Sequence, residues 1–137
     1  MLEELVYSST ATGSTASLLN MATLLGEAQH NNARAGLTGA LAAHDDRFFQ
    51  VIEGPGQVLD GLLRRLAVDP RHRDIRIIGR RPIEARSFGE WTMANAIVTP
   101  DQATELRTLT QAEAPSAVRV VGLLRQAAAK GPTATAP

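Results

Sequence analysis

The chain has 137 residues, and its 14 basic and 14 acidic side chains cancel at neutral pH. This length suits one domain with its own hydrophobic core, and the balanced charge argues against nucleic acid or an anionic membrane as a partner. Cysteine is absent, which excludes disulfides, thiolate metal ligands, cysteine nucleophiles and any photochemistry that needs a cysteinyl adduct.

The first half of the sequence predicts a strand, a helix and a hairpin. Leu5–Ser9 is typical of a short strand. Ser14 is a candidate helix N-cap, and apolar residues then recur at helical spacing as far as Asn31 and Asn32. Two apolar runs, 37–43 and 47–53, are separated by three polar residues and predict a β-hairpin.

The second half predicts another helix and two more strands. Gly54-Pro55-Gly56 begins a helix with a leucine stripe, which ends before Pro70 because the residue preceding a proline disfavours the helical region. Ile75–Ile83 predicts a fourth strand. Phe88–Val98 predicts a turn and a fifth strand, in which Trp91 and Met93, two residues apart, are expected on one face.

This order, βαββαβ(β), predicts an α+β fold of ferredoxin-like topology, with two helices on one face of the sheet. A capping box at Thr99–Gln102 begins a helix that continues to about Ala112, and Ala117–Lys130 predicts another. These two C-terminal helices are expected on the open sheet face or in a subunit contact. We therefore divide the chain into a domain (1–98), a helical pair (99–130) and a flexible tail (131–137).

The segment FFQVIEG, residues 48–54, places a polar side chain among apolar ones. Alternate residues of a strand share a face, so Gln50 lies between Phe48 and Ile52. A buried amide left without partners is costly, and the partner is either backbone, as is common in cores, or a functional group. Tyr7, the only tyrosine, has the same two explanations: packing with a satisfied hydroxyl, or a reactive phenol.

The remaining polar patterns are ambiguous when each is taken alone. Three histidines lie apart without paired carboxylates, so no metal site is expected. Eight arginines and three acids between Arg64 and Arg86 suggest a solvated face or a phosphate contact. Asn31 and Asn32 suit a helix C-terminus. Trp91 and Met93 are ordinary core residues by default.

Taken together, five segments in order resemble the BLUF domain, a flavin-binding sensor of blue light. They are Leu5–Ser9, Asn31–Leu41, Phe48–Gly54, Asp69–His72 and Arg86–Met93. The resemblance extends from about Leu5 to Val98, and the loop after Tyr7 is one residue longer than in typical members.

The resemblance implies a cofactor and a relay. FAD would place its isoalloxazine ring between the two helices that cover the sheet. Tyr7 would give an electron and a proton to the excited flavin, and Gln50 would then rearrange by rotation or tautomerisation, which shifts the flavin absorption to longer wavelength. A phenol and an amide are suitable for this relay, because the amide both accepts and donates hydrogen bonds. No thiol is needed, in agreement with the missing cysteine.

The resemblance also assigns further residues by type of contact. Asn32 would hold the polar edge of the ring, with Asn31 at the neighbouring cofactor-binding position, and Arg65 would supply a basic contact to the flavin or its tail. Asp69, Arg71 and His72 match the acid-x-Arg-His turn near the cofactor. The hydrophobic lining would come from Leu25, Leu41 and Phe48, and signal output would pass through Trp91 and Met93.

We therefore expect a short, stand-alone BLUF photoreceptor rather than an enzyme. No long apolar run and no signal-peptide pattern occur, so we expect a cytoplasmic protein without membrane or nucleic-acid partners. Its output would pass through the fifth strand and the C-terminal helices to an unidentified effector protein, and the chain would form a homo-oligomer. The alternatives are a light-insensitive ferredoxin-like module that binds another small ligand, and a small enzyme on that scaffold.

Overall fold

The computed structural model describes the backbone of residues 1–130 and 133–134. Its elements in chain order are β1 (Leu2–Ala11), α1 (Leu18–Ala35), β2 (Thr38–His44), β3 (Arg47–Pro55), α2 (Gly56–Val68), β4 (His72–Pro82), β5 (Met93–Asn95), α3 (Pro100–Gln111), α4 (Ala117–Lys130) and β6 (Thr133–Ala134). The predicted element order is confirmed, and β6 is an addition within the segment predicted as a tail. The rest of that segment lies outside the described residues.

The strands form one sheet in the order β4-β1-β3-β2-β5-β6. All pairings are antiparallel except that of β2 with β5. The connections through α1 and α2 leave β1 and β3 as neighbours near the centre of the sheet, which is the ferredoxin-like arrangement expected from the element order. The predicted fold class is confirmed.

The two faces of the sheet have separate cores. Residues of β1 and β3 such as Leu5 and Ile52 pack with apolar residues of α1 and α2. Their strand neighbours, including Val6 and Val51, point to the opposite face and pack with residues of α3 and α4, among them Leu124. The C-terminal helices therefore cover the second face of the sheet.

Capping residues set the helix ends. Ser17, rather than the predicted Ser14, caps α1: its Oγ accepts a hydrogen bond from the backbone N–H of Asn20 at 3.2 Å. Gly36 ends the helix in the left-handed conformation, with φ of 72°. The predicted capping box of α3 is confirmed, because Thr99 and Gln102 each accept the other's backbone N–H.

The prediction that Trp91 and Met93 share a face is wrong. Strand β5 begins only at Met93, and Trp91 lies in a turn in which its N–H donates to the Phe88 carbonyl at 3.0 Å. Alternation holds only within an extended strand. Met93 consequently packs on the α1/α2 face, whereas Trp91 packs on the α3/α4 face.

Candidate functional site

Three side chains form a row across the central strands on the α1/α2 face. Gln50 on β3 is paired with Tyr7 on β1 and with Leu41 on β2. All three are buried, with Gln50 the most exposed at 7%. The Tyr7 hydroxyl donates a hydrogen bond to Gln50 Oε1, and Gln50 Nε2 lies 3.6 Å from the sulfur of Met93. Thioether sulfur is a weak acceptor, so the amide N–H₂ retains donor capacity.

A cavity of about 190 Å³ lies over this row, between α1 and α2. Its floor includes Tyr7, Leu41, Gln50 and Ile52, and its walls and rim are Leu24, Glu27, Ala28, Asn31, Asn32, Leu62, Arg65, Leu66, Asp69, Arg71 and His72. Both helices thus line the cavity with apolar side chains and also place amides and charged groups at defined positions, as small-molecule sites usually do.

Helix α1 presents two amides to the cavity, of which one is buried. Asn32 is 4% exposed, and its Nδ2 donates to the backbone carbonyl of Thr92 at 2.7 Å. Its Oδ1 has no hydrogen-bond donor among the residues that the structure describes. Asn31 is exposed at the rim. The buried amide therefore offers an acceptor to a ligand while its donor holds the segment that leads into β5.

Charged side chains form the rim on the side of the α2–β4 turn. Arg71 Nη2 contacts Asp69 Oδ2 at 2.8 Å, and Arg71 Nη1 also pairs with Glu27 on α1. The hydrogen bond between the Arg71 guanidinium and the Asp69 carboxylate holds the pKa of Asp69 below its usual value. The same bond raises the pKa of Arg71. Arg65 lines the same rim and has no ion-pair partner within residues 1–130 and 133–134. It is thus available to an anionic group.

Burial controls the protonation of the two aromatic groups beside the cavity. The pKa of Tyr7 is raised, mainly by burial and further by the charge of Asp69, so the phenol keeps its proton and remains a donor. Burial lowers the pKa of His72. The His72 ring lies 2.9 Å from Ser9 Oγ through Nδ1 and 4.9 Å from the Phe48 ring, centroid to centroid.

The structure gathers most, but not all, of the predicted binding residues. Leu25 packs in the hydrophobic cluster of this face without lining the cavity. Phe48 lines an adjacent groove, which shares Leu24 and Arg71 with the cavity. Trp91, predicted for signal output and not for binding, lies on the opposite face.

Sequence reasoning missed several lining residues: Leu24, Glu27, Ala28, Ile52, Leu62 and Leu66. The helical spacing of some of these residues could have identified them. Leu24, Ala28 and Asn31 are four and three residues apart and so share a helix face, as do Leu62 and Leu66. The ion pair between Glu27 and Arg71 has no such signal, because it joins residues 44 positions apart.

Among the residues that the structure describes, no group of three or more His, Cys, Asp or Glu side chains is placed to hold a metal ion. Within the same residues, no helix combines the length and the hydrophobicity needed to cross a membrane.

Comparison with known proteins identifies the family of the chain. The sequence profile of the family described as "Sensors of blue-light using FAD" matches residues 2–94. Photoactivated adenylate cyclase subunit beta of Euglena longa is 33% identical over 96 residues, which are 69% of this chain and 11% of that protein. The chain thus spans about a tenth of that relative's length.

Two solved structures extend the comparison to the whole fold. The dark-state structure of BlrB, a BLUF protein, is 30% identical, with a TM-score of 0.71 over 95% of this chain and 97% of that chain. The ground state of BlsA is 24% identical, with a TM-score of 0.77 over 98% of this chain and 91% of that chain. The second comparison supports the fold alone.

Proposed function

Since the chain belongs to the BLUF family of blue-light sensors that use FAD, we propose that it is a photoreceptor whose light-driven relay consists of Tyr7 and Gln50. The single observation that supports this relay best is their buried hydrogen bond at the floor of the cavity. The matched residues, 2–94, correspond to the sensor domain. The cyclase activity in the name of the Euglena relative belongs to a protein of which this chain covers only 11%.

The residues of the cavity fit a flavin. A flavin ring is flat and largely apolar, with one edge of alternating donors and acceptors. The leucine side chains of the walls suit its faces, and the Oδ1 of Asn32 and the N–H₂ of Gln50 suit that edge. Arg65 and Arg71 at the rim suit the anionic tail. Bound FAD would supply blue-light absorption, an excited state that accepts an electron, and a ring edge whose hydrogen bonds tune its absorption.

Tyr7 is the proposed electron donor. Oxidation of a phenol is much easier when its proton can leave at the same time, and Gln50 Oε1 already accepts the hydrogen bond from the Tyr7 hydroxyl. The raised pKa of Tyr7 keeps the hydroxyl protonated before illumination. The phenol is therefore held in the state from which electron and proton can depart together.

Gln50 is the proposed switch. In the described arrangement its Oε1 faces Tyr7 and its Nε2 faces the Met93 sulfur. Rotation of the amide by half a turn, or its tautomerisation, replaces the acceptor that faces Tyr7 by a donor and gives the Met93 side an acceptor. The hydrogen bonds offered to the cavity then differ from those before illumination, although no atom of the backbone needs to move.

The output is proposed to pass through the residues that follow Phe88. Asn32 at the cavity wall holds the carbonyl of Thr92, and Gln50 contacts Met93. The adjacent Trp91 packs on the other face of the sheet, with the guanidinium of Arg125 on α4 at 5.2 Å from its ring centroid. A change at Gln50 can thus reach α4 through a few adjacent residues. An effector protein or a second copy of the chain that contacts α4 would receive the signal.

An absorption spectrum of the purified protein tests this proposal. We expect flavin bands in the dark, a small reversible shift to longer wavelength after blue light, and return in darkness. Flavin bands that do not change with light would contradict the relay. A protein that remains colourless after reconstitution with FAD would contradict the sensor function and favour a module for another small ligand.

A further inference from the structure

Glu53 is a buried charged residue of FFQVIEG that the proposed relay does not use. It lies three residues after Gln50 on β3, faces the opposite side of the sheet and is 0% exposed. Its Oε2 accepts the N–H of Ser87 at 2.6 Å, and its Oε1 accepts the N–H of Phe88 at 2.9 Å and the Thr38 hydroxyl at 3.1 Å. A buried carboxylate with three donors is a strong local anchor.

Arg86 reinforces this anchor from the same side. One guanidinium nitrogen donates to Thr38 Oγ1 at 2.9 Å and to the Glu53 carbonyl at 3.0 Å, and the other donates to the Gly36 carbonyl at 2.8 Å. The bonds join the start of residues 86–93, here termed the output segment, to both strands of the β2–β3 hairpin. That start is therefore fixed to the strand that bears Gln50.

The other end of the output segment reaches the relay. Phe88 is fully buried, and its carbonyl accepts the N–H of Trp91 in a turn. The Thr92 carbonyl is held by Asn32, and the Met93 sulfur lies 3.6 Å from Gln50 Nε2. Both ends of the output segment are thus attached to β3, one through the Glu53 carboxylate and one through the Gln50 amide.

We propose that Glu53 is a positioning residue of the photoreceptor, which fixes the output segment so that Met93 packs against the Gln50 amide. Glu53 thereby sets the rate at which the signalling state returns to the dark state. This inference rests on the proposed function. Since Glu53 lies on the far side of the sheet from the cavity, its effect on Gln50 is exerted through Met93 and not through direct contact.

The chemistry of the anchor requires a carboxylate. A glutamine at this position has the same shape but only one acceptor oxygen, so its N–H₂ group would face a backbone N–H of Ser87 or Phe88. At least one hydrogen bond to the carboxylate would be lost, and two buried N–H groups would then face each other without an acceptor between them. Glu53→Gln therefore loosens the output segment without altering the volume of the core or the lining of the cavity.

The test compares Glu53→Gln with Glu90→Gln, which makes the same change at an exposed residue of the output segment. Both variants are loaded with FAD, and the rate of dark recovery and the hydrogen exchange of the Ser87 and Phe88 amides are measured. We expect Glu53→Gln to keep FAD, to exchange these amides faster and to recover about fivefold faster, the effect of one lost hydrogen bond. Glu90→Gln should match the wild type in both measurements.

A second comparison separates positioning from a general loss of stability. In a Met93→Leu background, Glu53→Gln should change the recovery rate by less than about twofold, because residues that act through one contact are not additive. Full additivity of the two substitutions would overturn the inference. A wild-type recovery rate in Glu53→Gln, with the light-induced shift intact, would also overturn it while leaving the relay untouched.

Thr38→Val provides the same test if Glu53→Gln does not fold. It removes the hydroxyl shared by Glu53 and Arg86 but keeps both backbone bonds to the carboxylate. Faster recovery of this variant supports the inference, and an unchanged rate contradicts it. A wild-type protein without any light-induced shift would instead contradict the proposed function itself.

Discussion

Tyr7 and Gln50 stand directly opposite each other on β1 and β3, and a buried hydrogen bond joins the tyrosine hydroxyl to the glutamine Oε1. Two features of the sheet account for this contact. Alternation places both side chains on the same face, and antiparallel register brings them opposite each other. The two residues of the proposed relay therefore lie within the sheet and need no loop to hold them together.

Tyr7→Phe removes the donor of this hydrogen bond. We expect the variant to bind FAD, because the ring volume stays nearly the same, but to give no lasting red-shifted state. Gln50 Oε1 loses its described donor, so the free energy of unfolding should fall by about 1–2 kcal/mol. Illumination followed by absorption spectroscopy checks the first expectation, and urea unfolding checks the second. A lasting signalling state would identify another electron donor.

Asn32→Ala tests the buried amide at the cavity wall. We expect the affinity for FAD to fall by about tenfold or more, because both the free acceptor and the bond to the Thr92 carbonyl are lost. Asn31→Ala is the matched control at the exposed neighbouring position and should have a clearly smaller effect. Titration of the apoprotein with FAD gives both values. Equal losses in the two variants would contradict the assignment of Asn32 as the inner contact.

The pH dependence of stability should report His72. Its folded pKa is lowered by burial, so below about pH 6.5 the unfolded chain binds more protons than the folded one. The contribution of His72 to the free energy of unfolding is therefore full above that pH. It is lost as the pH falls from there through the lower pKa of the folded state. We expect unfolding measurements between pH 7 and 5 to show a steeper loss for the wild type than for His72→Gln. Parallel curves would show that His72 makes no such contribution.

Arg76 tests the attachment of the C-terminal helices. Its guanidinium donates to the carbonyls of Thr110 and Ala112 at 2.6 and 2.8 Å, where α3 ends. Arg76→Ala should lower the free energy of unfolding by about 1–2 kcal/mol and leave the light-induced shift unchanged. Arg73→Ala, at an exposed position of the same strand where the side chain makes only a 3.9 Å ionic contact with Asp74 within the described part of the chain, is the control and should have little effect. A lost spectral shift in Arg76→Ala would mean that α3 acts on the cavity.

Much of the fold follows from patterns within single elements. The alternation in Phe48–Gly54 and the capping box at Thr99 each depend on neighbouring residues, and both are confirmed. The faces of Trp91 and Met93 could not be predicted by alternation, because the chain turns between Phe88 and Trp91 before β5 begins.

The cavity is harder to predict because its rim combines distant parts of the chain. Helical spacing alone does not decide between Leu24 and Leu25, since both are seven residues from an asparagine; the packing of α1 on the sheet makes Leu24 the lining residue. The pairing of Glu27 with Arg71 likewise depends on where the α2–β4 turn meets α1. These contacts follow from the assembled fold and not from any local pattern.

The most direct test of the central claim is the light-minus-dark absorption difference of the wild type beside Gln50→Leu, each saturated with FAD. Leucine keeps the floor of the cavity apolar but has no amide to rearrange. We predict a reversible red shift in the wild type and none in Gln50→Leu, with equal flavin content. A normal reversible shift in Gln50→Leu would contradict the role of Gln50 as the switch.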